Sequence, residues 1–104
     1  MKHARHVTVQ FKEGKIADAE ALWHELVVPG LRALKGFRGA LFLTDESSGE
    51  GASVVWFETK ADLLASETGE QFEDTFKKFA PLFAIPPVKR HLAVTVEALA
   101  ASEA

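Results

Sequence analysis

The residues of this chain with chemistry to offer are four histidines, two tryptophans and one arginine near a glycine-marked strand; there is no cysteine and no tyrosine. Without cysteine there is no thiolate nucleophile, disulfide or thiolate metal site. His24 flanks an apolar helical stripe beside Trp23. Its ordinary pKa suits a general base at neutral pH, and the plainer reading is a helix-edge histidine in solvent. Trp56 can stack on an aromatic substrate or serve as a sheet core residue. Arg38 can hold an anionic or phenolate oxygen or face solvent on a strand. His6 lies near the start of the first strand and His91 near the start of the last, so antiparallel pairing is expected to keep them apart. No pair among His3, His6, His24 and His91 has metal-ligand spacing, and no metal site is expected. No glycine-rich phosphate loop, serine elbow or nucleophile–base motif is present. Flavin and nicotinamide have no support, and no cofactor is expected.

The elements that position these residues follow from periodicity. His6–Phe11 alternates, with Val7, Val9 and Phe11 on one face, hence a strand. From Ile16 to Leu34 the apolar positions Ile16, Ala19, Trp23, Leu26, Val27, Leu31 and Leu34 form one helical stripe. Pro29 is expected to kink or split that helix, and Gly36 to end it in the left-handed conformation. Phe37–Thr44 and Ala52–Phe57 read as a hairpin, with Gly39 marking a bulge or a close approach. Thr59–Asp62 matches a capping box, and Thr68–Gln71 looks like a second cap. Phe72, Phe76, Phe79 and Phe83, spaced 4, 3 and 4, predict a helix with an aromatic seam. Pro86-Pro87 blocks its continuation, Val88–Glu97 reads as the last strand, and residues 98–104 as a frayed tail.

The order β-α-β-β-α-β predicts an α+β, ferredoxin-like fold: a four-stranded antiparallel sheet in spatial order 4-1-3-2, with both helices on one face. The strands nonetheless carry apolar or neutral residues on both faces. A second copy packing sheet on sheet is the simplest cover for the open one. The chain has 104 residues, 47% of them hydrophobic, and a formal net charge of -3. One domain spanning 1–104, with its core at about 5–97, is expected. The mixed charges give no nucleic-acid or anionic-membrane signal, and no apolar run approaches the roughly 18 residues of a membrane span. A cytoplasmic protein is expected.

Two stretches, Pro29-Gly-Leu-Arg-Ala-Leu-Lys-Gly-Phe-Arg-Gly-Ala40 and Trp56-Phe-Glu-Thr-Lys-Ala-Asp-Leu-Leu64, resemble the dimeric α+β barrel superfamily, and within it the antibiotic-biosynthesis-monooxygenase-like domains. The resemblance covers about residues 5–97. It implies a homodimer and a mostly apolar pocket between helices and sheet. The superfamily includes cofactor-independent monooxygenases acting on aromatic polyketides or quinols, haem-degrading oxygenases and lactone isomerases. The haem-degrading branch uses an asparagine, a tryptophan and a histidine where this chain has Val7 and positions near Ser66 and Phe76, which disfavours haem degradation. The polyketide oxygenases use a tryptophan that Trp56 matches, with an asparagine where Ala52 stands and a helix tyrosine that this chain lacks.

Two functions are compatible with these residues. One is a cofactor-free monooxygenase-like homodimer acting on a small aromatic or quinol-type substrate. In it His24 and Trp56 would be catalytic, and Trp23, Arg38, Val7, Val9, Phe72 and Phe76 would bind substrate in a helix–sheet cleft. The other is a non-catalytic dimeric module for a small apolar ligand or for interaction.

Overall fold

The computed structural model describes residues 1–101; the last three residues of the expected tail lie outside the described residues. Strand β1 (His3–Phe11) leads through Gly14 into helix α1 (Ile16–Leu22), a π-helical stretch (Trp23–Val27) and helix α2 (Val28–Arg32). Strands β2 (Phe37–Asp45) and β3 (Glu50–Phe57) form the hairpin. Helices α3 (Lys60–Ala65) and α4 (Glu70–Phe79), a 3-10 turn (Ala80–Leu82) and strand β4 (Phe83–Ala93) complete the chain. The sheet has four antiparallel strands in order β2-β3-β1-β4, the ferredoxin-like topology the sequence predicts.

The first helix does not split at Pro29. The turn before the proline widens to i→i+5 bonding, with the Val28 amide donating to the Trp23 carbonyl. Widening makes room where the proline ring would otherwise press on the carbonyl four residues back. Gly36 ends the helix with φ 79°, a left-handed value that costs glycine nothing. Thr59 Oγ1 accepts from the Asp62 amide at 3.0 Å, one half of the expected box, while the Asp62 carboxylate lies against Gly36. The expected cap at Thr68 is replaced by Gly69 at the N-terminus of α4; the Thr68 hydroxyl instead donates to the Ala65 carbonyl at 2.8 Å.

The last strand begins five residues earlier than its alternation indicates. Phe83 leaves the aromatic seam because Ala80–Leu82 tightens to a 3-10 turn, so Phe83 pairs with Phe11 as the first residue of β4. Pro86 and Pro87 then sit inside a strand. They are tolerated because β4 is an edge and because its register with β1 shifts between Thr8 and Gln10, where ladder donors are not required. The early start also corrects the position of His91. It lies near the end of β4, opposite Arg5, while His6 pairs with Arg90. His6 and His91 are thus close in the sheet but on opposite faces.

Register decides which face each side chain takes. On β1, Arg5, Val7, Val9 and Phe11 face the helices, with Val55 and Ser53 of β3 beside Arg5 and Val7. A bulge between Phe37 and Gly39 of β2 puts Ala40 and Phe42 on that face, and Leu41 and Leu43 on the other. The core has two parts. One is Phe11, Ala19, Phe79 and Leu82; the other is Leu31, Val55, Phe57 and Leu63. Trp23 and Val27 pack against both. The open face carries Leu41, Leu43, Ile85, Val88 and Leu92, each 50–59% exposed. No helix among the described residues is long and apolar enough to cross a membrane.

Gly39 ties the bulge to Trp56, since a Cβ at this position would fall among the atoms of the indole six-membered ring. Gly39→Ala should therefore lower the unfolding free energy by about 1–3 kcal/mol, the usual cost of overpacking. In urea denaturation, Trp56→Leu should absorb most of that loss in the double variant; strictly additive losses would show that the ring is not what Gly39 accommodates.

Candidate functional site

Between the helix layer and the sheet lies a cavity of about 550 Å³, within the usual range for small-molecule sites. It occupies the gap between the two parts of the core, bordered by Phe11 and Phe79 of one and Leu31 and Val55 of the other. β1 supplies Val7 and Val9 as its floor. The first helix supplies Trp23, Leu26 and Val27, and α4 supplies Phe72 and Phe76. Trp23 stacks on Phe42, ring centroids 5.0 Å apart and 12° from parallel. Phe42 in turn meets Phe11 edge-on at 6.0 Å. The wall is thus aromatic and already locked by ring–ring contacts.

The helical stripe and the phenylalanine seam hold this cavity open rather than filling it. Phe83 belongs to β4 and stacks on Phe79 at 6.3 Å, and Phe76 remains 46% exposed. Of the residues expected to bind substrate, Trp23, Val7, Val9, Phe72 and Phe76 all line the cavity. The other three candidates lie elsewhere. Trp56 pairs with Ala4 and Gly39 on the open face of the sheet, where its Nε1 donates to Glu97 at 3.2 Å. A placement on the face of Val7 would need a register one residue different. Arg38 sits at the bulge of β2, half exposed, 3.3 Å from Glu58. The His24 side chain is 76% exposed and lies 3.8 Å from Glu20, one turn back; the stripe that turns Trp23 inward turns its neighbour outward.

Sequence reasoning missed the charged end of the cavity. Arg5 is only 7% exposed. Its Nη1 donates to Ser66 Oγ at 2.8 Å and to Glu67 Oε2 at 3.2 Å, and its guanidinium lies over the Phe72 ring, 5.5 Å from the centroid. Ser66 Oγ donates onward to the Leu63 carbonyl at 2.6 Å. Glu67 also takes Lys89 Nζ on Oε1 and His91 Nε2 on Oε2, both at 2.6 Å. β1 and β4 present Arg5, Lys89 and His91 side by side, because Arg5 pairs with His91 and Val7 with Lys89. Arg5 and Lys89 line the cavity; Glu67 stands behind them, outside its lining. The signal was legible: Arg5 shares the odd-numbered face of Val7, Val9 and Phe11, a charge on an apolar stripe, once β1 is started at His3.

Burial pushes the Glu67 pKa up, but hydrogen bonds from Lys89, His91 and Arg5 and the Arg5 charge outweigh it and hold the carboxyl below its ordinary value.

The antibiotic biosynthesis monooxygenase family profile matches residues 3–78. The chain belongs to this family. Among solved structures, Rv0793 from Mycobacterium tuberculosis shares 17% identity at a TM-score of 0.78, over 95% of this chain and 100% of that one. A protein of Bordetella bronchiseptica, named as a family monooxygenase, shares 21% identity at a TM-score of 0.78, over 91% and 98%. SnoaB from Streptomyces nogalater, a cofactor-independent oxygenase whose structure is that of a mutant form, shares 7% identity at a TM-score of 0.79, over 92% and 95%. These likenesses establish a shared fold. No curated protein matches the sequence.

A carboxyl whose folded pKa is depressed stabilises the fold above its unfolded pKa, and that stabilisation is lost as pH falls through the folded value. Unfolding free energy should therefore drop as pH falls below about 4.5, the ordinary value for this group. Glu67→Gln should flatten that acid limb and cost about 3 kcal/mol at neutral pH, because it leaves the buried Arg5 charge without its counter-ion. Denaturation curves across the acid range check both; an acid limb of unchanged slope would remove Glu67 from this role.

Proposed function

We propose that this chain is a cofactor-independent oxygenase-type enzyme for a small, electron-rich aromatic, working as a homodimer with one substrate cavity per subunit. The observation that carries this reading is the preformed cavity of about 550 Å³ between helices and sheet, aromatic on its walls and large enough for a fused bicyclic or tricyclic ligand. Trp23 and Phe72 offer faces for ring stacking, and Val7 and Val9 a flat apolar floor.

The chemistry that suits such a wall needs little from the protein. A benzylic CH2 flanked by an enolisable ring system loses a proton to give a stabilised carbanion. The carbanion gives its electrons to molecular oxygen and forms a C–O bond; loss of water then leaves a ketone. One oxygen atom ends in the product and the other in water, and the substrate itself supplies the electrons. The protein contributes a dry, shaped site that excludes competing water and orients the ring.

The second reading, a ligand-binding module without catalysis, has its own support. No histidine, aspartate or glutamate lines the cavity among the described residues, so no conventional general base stands at the substrate. Oxygen uptake separates the two. With a panel of anthrones and quinols, an enzyme consumes one oxygen molecule per ketone formed from the CH2 of an anthrone, and Val7→Trp, which fills the floor, abolishes the uptake. Binding without oxygen consumption would select the module.

The homodimer is proposed to form through the open sheet face. Leu41, Leu43, Ile85, Val88 and Leu92 lie together on it, and all are exposed in the single chain. Apolar patches of this extent on one face mark an interface, and a stable pair needs at least about 1,000 Å² of total burial. Sedimentation should give a dimer at micromolar concentration and a monomer for Leu43→Glu. A wild-type monomer would refute the proposal.

A further inference from the structure

We infer that the cavity selects an aromatic ligand bearing an anionic oxygen, a carboxylate or an enolate, and seats that oxygen between Arg5 and Lys89. The inference rests on the proposed use of the cavity as the ligand site and adds the charge of its ligand. Three observations carry it. The charged side chains in the cavity lining are both cations, Arg5 and Lys89. Their shared counter-ion, Glu67, lies behind them and outside the lining. One carboxylate therefore balances two permanent cations, leaving this end of the cavity with a net positive charge.

The third observation is the use of donors. Both recorded side-chain bonds of Arg5 leave from Nη1, to Ser66 and Glu67, and its Nε and Nη2 make none among the described residues. No buried side-chain donor among those residues lacks a partner, so these two nitrogens are not sealed away, and Arg5 itself lines the cavity. A guanidinium held rigidly by Ser66, Glu67 and the Phe72 face, with donors to spare, is preorganised for an oxyanion. Lys89, half exposed, supplies a movable second charge from the neighbouring strand. This arrangement also makes chemical sense of a cavity wall without a general base. A ligand held as its anion, with the negative oxygen conjugated to the ring, arrives already ionised or is more readily ionised beside two cations.

The test compares anthraquinone carboxylate with its matched carboxamide, by titration calorimetry and by quenching of tryptophan fluorescence at neutral pH. The carboxylate should bind roughly tenfold more tightly, the difference expected of one charge-assisted contact in a partly buried site. Lys89→Met should remove most of that preference while leaving carboxamide affinity within about twofold, and Arg5→Lys should weaken the carboxylate further. Lys89 is a surface-reaching side chain, so its variant remains informative if the Arg5 variant fails to fold. Val7→Trp should block both ligands, placing them in the cavity. Equal affinity for carboxylate and carboxamide, both lost in Val7→Trp, would overturn the anion preference and leave the cavity reading intact. Binding of neither ligand, or binding indifferent to Val7→Trp, would overturn both.

Discussion

The contact on which the rest of this structure depends is the buried pairing of Arg5 with Glu67. Arg5 comes from the first strand and Glu67 from the short turn between α3 and α4, and Lys89 and His91 of the last strand close on the same carboxylate. Three separate parts of the chain meet at one group. Ser66, bonded to Arg5 and to the Leu63 carbonyl, fastens the end of α3 to the same point. The turn is thereby held at the sheet, and α4, which starts at Gly69 without a side-chain cap, departs from a fixed place. An ion pair of this kind is not an efficient stabiliser, since removing the charges from water costs about as much as their attraction returns. Its effect is positional: hydrophobic packing alone would let α4 slide over the sheet, and the geometry of one carboxylate with three donors does not.

Once α4 is fixed, the cavity follows. The first helix passes through Pro29 by widening its preceding turn, so Trp23 meets Phe42 and stacks on it. Leu31 and Leu63 close one end of the helix layer and Phe79 and Leu82 the other. Interiors normally pack to the density of organic crystals, so an apolar cleft of about 550 Å³, partly open to solvent at Phe76 and Lys89, has to be propped. Here the props are the two partial cores and the stacked rings, none of which can move inward without losing its own contacts.

The architecture was legible because its signals are local. Gly36 takes the left-handed conformation expected of a helix stop, and Gly39 is both a bulge and a close approach, because the register shift and the Trp56 ring fall at the same residue. The strand order followed from handedness and alternation. What escaped were features that depend on partners distant in sequence. Pro86-Pro87 reads as a strand-free segment until β4 is known to be an edge with a shifted register. Trp56 falls on the open face through a pairing register that no single strand reveals. His24 and Arg38 are candidates by residue type alone, and the structure places both in solvent. Arg5 escapes a strand that starts at His6, and only the longer β1 from His3 places it on the face of Val7, Val9 and Phe11.

Trp56 and Arg5 show why residue type alone misleads in a sheet of this kind. β3 carries apolar residues on both faces, so its composition does not say which face meets the helices, and on β1 the charge of Arg5 interrupts the apolar face of Val7, Val9 and Phe11. A tryptophan therefore looks catalytic wherever it stands, and an arginine looks solvated. The discriminating fact is pairing parity. Arg5 opposes Val55 and His91, and Trp56 opposes Ala4 and Gly39, which sends one toward the ligand space and the other toward the uncovered face. A sheet with one covered and one open face thus suits the two proposed tasks: the cavity borders the odd face of β1, and the surface proposed for a second copy is the opposite face of the sheet. Because the two faces alternate residue by residue along the same strands, neighbouring substitutions test the proposed dimer and the proposed ligand site largely independently.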